Sequence, residues 1–248
     1  MKKAFIPSLI LAASAMSSSA AITLVAGWDN FDDVLNATPT HLSGGTTATL
    51  TSAATGGNWD DWNNTTGHGS SDDGTFGSLS SFIAAASTVG GTASNQGTNL
   101  SLNRSRKPGT LTFNLTNTSG LDRTMDGFYF DAAGRFAESA KEWTLSFSGA
   151  ISGSDATGTL TQGNLNGISA ADRDKYVDLT GLTDNVWEAG QAAIFTLVFG
   201  PGPASTSTGG GQETVVDNIG ITANVVPEPS SLSLLGLGIC GLLLRRRK

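Results

Sequence analysis

Cysteine is almost absent from this chain of 248 residues: the only one, Cys240, stands inside an apolar run near the end. No intrachain disulfide can form, and thiolate metal sites and cysteine nucleophiles are excluded from everything before that run. A body without such staples rests on a hydrophobic core or on bound ions, and about 200 residues suffice to build that core. Histidine is nearly as scarce. His41 and His68 both sit in polar Gly/Thr/Ser stretches, and neither accompanies a Gly-x-Ser-x-Gly elbow or a His-Glu-x-x-His helix. Positive charge is sparse where it would matter. Of 14 Lys and Arg residues, six (Lys2, Lys3, Arg245, Arg246, Arg247 and Lys248) lie in the terminal segments, leaving 8 bases against 20 acids between them, a net −12. That surface repels phosphates and anionic lipid heads, so nucleic acid is excluded as a partner of the body. Long helical periodicity is missing as well.

The two ends are of a different kind. Met1-Lys2-Lys3 is a positive start, and Ala4 to Ala15 is an apolar stretch too short to span a bilayer stably. Small residues at Ser18 and Ala20, or Ser19 and Ala21, satisfy the small-x-small cleavage rule, with Ala13 and Ala15 as an earlier site. Residues 1–21 therefore read as a secretory signal. Near the other end, Pro227-Glu228-Pro229 precedes an apolar run from Leu232 to Leu244, followed at once by Arg245, Arg246, Arg247 and Lys248. As a helix, that 13-residue run is about 20 Å long, short of the ~30 Å hydrocarbon core. It suits a transient insertion into the inner membrane better than durable anchorage, and the four terminal charges hold its end at the cytoplasmic face. The two prolines enforce an extended, unpaired backbone that a protease-like cleft can grip.

This order of motif, apolar helix and basic cluster resembles the PEP-CTERM sorting signal of Gram-negative bacteria. The resemblance implies handling by an exosortase, a membrane-embedded cysteine transpeptidase acting near Pro227-Glu228-Pro229. It also implies delivery to the cell surface or to an exopolysaccharide matrix. On that reading residues 226–248 are a label without activity of their own, and residues 22–225 form one domain.

The body reads as all-β. Thr47 to Ser52, Thr110 to Thr116, Met125 to Asp131, Glu142 to Ser148, Thr157 to Thr161, Ala193 to Phe199 and Val215 to Thr222 alternate as half-buried strands do. Leu111, Phe113 and Leu115 would face one side, as would Trp143, Leu145 and Phe147, with Thr and Ser on the other. Turn chemistry separates these runs at Thr118-Ser119-Gly120, Ser148-Gly149 and Gly163-Asn164. Short helical turns fit Ser80 to Ala86 and Ala170 to Lys175. The spacing predicts one-sided antiparallel sheets packed as a two-sheet sandwich, a jelly roll. The stretches Tyr176 to Leu182 and Val216-Asp217-Asn218-Ile219 look like the closing strands of β-sandwich bodies that carry such tails, a likeness that defines no enzyme.

Three clusters are candidate sites. Trp59, Asp60, Asp61 and Trp62 form the densest polar and aromatic stretch, where indole faces can stack on sugar rings and carboxylates can accept sugar hydroxyls. Those residues give a glycan-binding reading, set against a solvated loop whose tryptophans tuck into the sandwich edge. Asp29, Asp32 and Asp217 offer oxygen ligands for a calcium ion, the one cofactor the sequence suggests. Asp172, Asp174 and Asp178 fail as an EF-hand, because Val177 stands where Gly is required and Thr183 where a bidentate Glu is required, so the stretch reads as a solvated turn. The sequence thus predicts a non-catalytic surface or matrix protein in contact with exopolysaccharide or surface glycans. A carbohydrate-binding module is the alternative, and a polysaccharide hydrolase, for which nothing selects a carboxylate pair, stands last.

Overall fold

The computed structural model describes residues 22–29, 31, 38–55, 58–62, 76, 99–103, 108–200 and 213–225, although within β4 only the Trp59 side chain is described. The chain there forms thirteen strands. They are β1 Ile22–Trp28, β2 His41–Leu42, β3 Thr46–Ala54, β4 Asn58–Trp62, β5 Asn99–Asn103, β6 Gly109–Asn117, β7 Arg123–Gly134, β8 Glu142–Gly149, β9 Ala156–Thr159, β10 Asp174–Asp178, β11 Val186–Trp187, β12 Ala192–Phe199 and β13 Glu213–Val225. A 3-10 turn at Leu165–Gly167 and one short helix, α1 Ala170–Arg173, interrupt them.

The strands build two sheets. The smaller runs β3-β6-β12-β8-β9; the larger runs β10-β7-β13-β1-β2, with β11 on the start of β7 and the pair β5-β4 added beside β13. Every strand pair is antiparallel. Taking β1, β6, β7, β8, β9, β10, β12 and β13 as first to eighth in chain order, the larger sheet reads 1-8-3-6 and the smaller 2-7-4-5. That is the interleaved double Greek key of a jelly roll. The remaining strands extend its edges.

Alternation explains the smaller sheet. Leu111, Phe113 and Leu115 in β6 and Ala193, Phe195, Leu197 and Phe199 in β12 are fully buried, while the threonines and Asn114 between them face away from the core. β-Branched threonine suits the pleated surface, so one residue type serves both strand preference and solvent contact. The β8 strand ends at Gly149, whose φ of +80° favours glycine, and a Cβ there would run into the Ala192 carbonyl.

Aromatic rings join the sheets across the middle. Trp28 meets Phe113 edge-on at 5.1 Å, Phe128 lies 5.5 Å from both Phe113 and Phe195, and Phe130 meets Trp143 at 5.1 Å. Contacts of this geometry contribute about 0.5–1.5 kcal/mol each beyond the area they bury.

The larger sheet departs from the one-sided expectation. The side chains of β13 from Glu213 to Ala223 are all buried, because apolar residues occur on both parities of the strand. Register shifts between Asp217 and Gly220 and between Thr222 and Ala223 switch which residues face inward, as bulges do. On the outer face Leu24, Tyr129 and Phe76 pack together, and Leu165 and Ile168 cover Ala133 and Val215. The sheet is therefore buried on both sides at its centre.

Candidate functional site

The outer face of the larger sheet gathers the polar chemistry of the fold. Asp174 stands opposite Asp131, and Asp131 opposite Asp217, so three carboxylates share one row and one face. Asp131 and Asp217 are fully buried. Asn218 lies between them in the bulge with φ 45°, a conformation asparagine tolerates better than most residues. Its side-chain amide donates to Asp131 Oδ2 at 3.1 Å and its backbone N–H to Asp217 Oδ1 at 2.9 Å, which partly offsets the cost of burying charge. At the end of the same face Glu213 accepts a bond from Ser101 Oγ at 2.6 Å and pairs with Arg135 at 2.8 Å. These contacts tie β5 and β13 to the stretch that follows β7.

Two register positions away, on the same face, Tyr129 in β7 faces Tyr176 in β10. The rings stack with centroids 4.9 Å apart and planes 28° apart. Tyr129 is 7% exposed, whereas Tyr176, on an edge strand, is 47% exposed. The inner ring lies over Gly127, where a Cβ would stand 2.6 Å from the Tyr129 ring, so only glycine leaves room for it as placed. Beneath it Thr222 Oγ1 donates to Asp126 Oδ2 at 2.9 Å.

Burial, reinforced by Tyr176 and the Asp126 carboxylate, pushes the Tyr129 hydroxyl far above the ordinary tyrosine range. Burial, with the charges of Asp178 and Asp126, raises Tyr176 as well. Both phenols therefore remain neutral donors at physiological pH. Asp178 shifts the other way. Its Oδ1 accepts bonds from Thr180 Oγ1 at 2.6 Å and Thr180 N at 2.8 Å, which hold its pKa below the usual aspartate value. The site thus presents an exposed ring and, at Asp178, an ionised acceptor.

Of the residues singled out from sequence, Asp217, Asp174 and Asp178 lie on this face, and the others that the structure describes fall elsewhere. Trp59 belongs to the core: it is 7% exposed, meets Phe199 edge-on at 5.9 Å, and donates its indole N–H to the Ala53 carbonyl at 3.0 Å. Its ring is a packing element and presents no platform to a ligand. The surrounding stretch is a strand rather than a solvated loop, with Asp60 opposite Ser101, Asp61 opposite Leu100 and Trp62 opposite Asn99. Asp172 to Asp178 is likewise no solvated turn, since α1 ends at Arg173, which is buried, and β10 follows it directly. Of the calcium trio, Asp217 is buried in β13, and Asp29 follows Trp28 and takes the Thr40 hydroxyl as acceptor for its N–H at 3.1 Å. Asp32 lies outside the described residues. Among the described residues no group of three His, Cys, Asp or Glu side chains is arranged to hold a metal ion. His41 sits in β2 and donates Nε2–H to the Leu24 carbonyl at 3.0 Å. His68, the turn near 80–86, the signal at 1–21, and residues 226–248 with Pro227, Glu228, Pro229 and the Arg245 to Lys248 cluster also lie outside the described residues. Among the described residues no helix is long and apolar enough to cross a membrane.

Sequence reasoning passed over Tyr129 and Tyr176, although a signal was present. They are the only two tyrosines in the chain, and in Tyr176-Val177-Asp178-Leu179-Thr180 the inward pair Val177 and Leu179 leaves Tyr176, Asp178 and Thr180 outside.

No curated protein matches the chain. Among solved structures, it is similar to a family 11 carbohydrate-binding module from Clostridium thermocellum in complex with a β-1,3-1,4-mixed-linked tetrasaccharide. That match has 10% identity, covers 82% of this chain and 96% of that one, and has a TM-score of 0.32. The family 11 module of a cellulosomal cellulase of Clostridium thermocellum matches at 10% identity over 82% and 95% of the two chains, with a TM-score of 0.29. An exo-β-1,3-galactanase from Phanerochaete chrysosporium with galactose matches at 14% identity over 67% and 29%, with a TM-score of 0.24. Likenesses this distant carry nothing over about ligands. Residues 225–248 do match a described motif, and it starts on the last residue of β13. The chain carries a PEP-CTERM protein-sorting motif, which implies handling by an exosortase and export across the inner membrane to the cell envelope or surface.

Proposed function

We propose that this is a non-catalytic surface or matrix protein whose jelly roll is the displayed part, in contact with exopolysaccharide or surface glycans. The observation that carries the reading is the sorting motif itself, joined without a linker to β13, a strand flanked on both sides within the larger sheet. Val225 pairs with Arg123, and Asn224 with both Thr124 and Ile22. The start of the first strand and the end of the last therefore lie side by side at one end of the larger sheet.

Acidity supports the same role, because a body of net −12 does not adhere to anionic lipid once released. The test is mass spectrometry of the native protein from a host possessing the cognate exosortase. Residues after Pro229 are expected to be missing, with a new group at the cut end, and a variant with Pro227, Glu228 and Pro229 all changed to Ala should stay at the inner membrane with its tail intact. Mature surface protein that still carries Arg245 to Lys248 would sink the proposal.

A further inference from the structure

We propose that Tyr176, backed by Tyr129, is a stacking subsite for a pyranose ring of a neutral polysaccharide. The inference rests on the display reading only for where the ligand is met; the site itself stands on geometry. An exposed aromatic ring at an edge strand is informative when its surroundings hold it still. Here the inner ring is buried at 7% exposure and lies over Gly127, where a Cβ would stand 2.6 Å from it. Its exposed partner is stacked on it at 4.9 Å. A pre-ordered ring loses little conformational freedom when a ligand settles on it.

The chemistry around the ring selects the ligand. The C–H face of a pyranose packs on an aromatic face, and its hydroxyls need acceptors and donors at the rim. Asp126 and Asp178 supply carboxylate acceptors. The same carboxylates, with Asp174 two residues before Tyr176 in β10, repel uronates, sulfates and phosphates. Lys175, the preceding residue of β10, donates Nζ–H to the Asp172 carbonyl at 2.6 Å and lies among Asp172, Asp174 and Asp131, so it does not reverse that preference. A single ring gives a dissociation constant on the order of millimolar. Many copies on a surface facing a repeating polymer convert that into firm adhesion.

The experiment is native affinity electrophoresis of the exported protein through gels containing a neutral β-glucan, a mannan or a galactan, with polygalacturonate as the anionic comparison. At least one neutral polymer should retard the protein. Tyr176→Ala should weaken that retardation about tenfold or more, Tyr176→Phe should keep it, and Thr196→Ala on the other sheet should leave it unchanged. Proton NMR of the unaltered protein serves if Tyr176→Ala fails to fold, because the Tyr176 ring signals should shift when the matching oligosaccharide is added. Retardation by none of the neutral polymers, retardation by polygalacturonate alone, undiminished retardation of Tyr176→Ala, or shifts that spare the Tyr176 ring would each overturn the subsite. Lost binding with intact tail processing removes only this proposal, and intact binding with failed processing removes only the sorting reading.

Discussion

The smaller sheet pairs without a register break along β3, β6, β12 and β8, whereas the larger one shifts register twice along β13 and once along β1. The consequences differ on every level. In the smaller sheet one face is core, and on the other Thr51, Thr112, Thr196 and Ser146 stand opposite one another across four strands. In the larger sheet the breaks bring apolar residues to both faces, set Asn218 between two buried carboxylates, and let glycines admit large rings. Strict alternation makes a wall, and the departures from it make room for chemistry.

The sharpest way to break this comparison is within β12. Phe195 sits between Phe128 and Phe147, so Phe195→Ala should cost about 3–5 kcal/mol. Its chain neighbour Thr196 faces away from the core, and Thr196→Ala should cost within about 0.5 kcal/mol. Denaturant midpoints measure both, and similar losses would mean that the smaller sheet is not one-sided.

A middle-sized effect probes the larger sheet. Gly127→Ala places a Cβ 2.6 Å from the Tyr129 ring, so the ring must move. The expected loss is about 1–3 kcal/mol, the range for overpacking, with a changed near-ultraviolet tyrosine signal. A neutral result would show that the stacked pair is looser than its geometry implies.

The smallest effect concerns pH. Because the folded pKa of Asp178 is depressed, its contribution is present above the unfolded aspartate value of about 3.9 and is lost as pH falls through the folded value. Thr180→Val removes one of the two bonds and should raise the Asp178 pKa toward normal in an NMR titration. Stability at neutral pH should change by no more than about 0.5 kcal/mol, since Asp178 is exposed. An unmoved titration would show that the Thr180 hydroxyl does not hold the carboxylate.

Legibility followed the same division between the sheets. Thr110 to Thr116 and Glu142 to Ser148 announce themselves, and the strands there run Gly109–Asn117 and Glu142–Gly149. Asn58 to Trp62 and Asp174 to Asp178 did not, because Asp and Asn weigh against strand in any local reading. Pairing with β5 and β7 overrode that preference. The tryptophan favoured as a sugar platform was hidden for a related reason: a dense polar setting says nothing about which parity of a strand faces the core, and Trp59 lies opposite Leu102 on the inward side.

By itself, the sequence determined what periodicity, composition and linear order can carry. The all-β class, the acidic cysteine-poor body and the sorting motif at residues 225–248 are all of this kind, since each is a property of neighbours along the chain. Only the tertiary structure decided that Tyr129 and Tyr176, 47 positions apart, would stack, and that Asp131 and Asp217 would share a buried row. Those meetings depend on which strands pair and in what register. Register is set by the whole core at once, because a slip of one residue would turn every side chain of a strand to the other face.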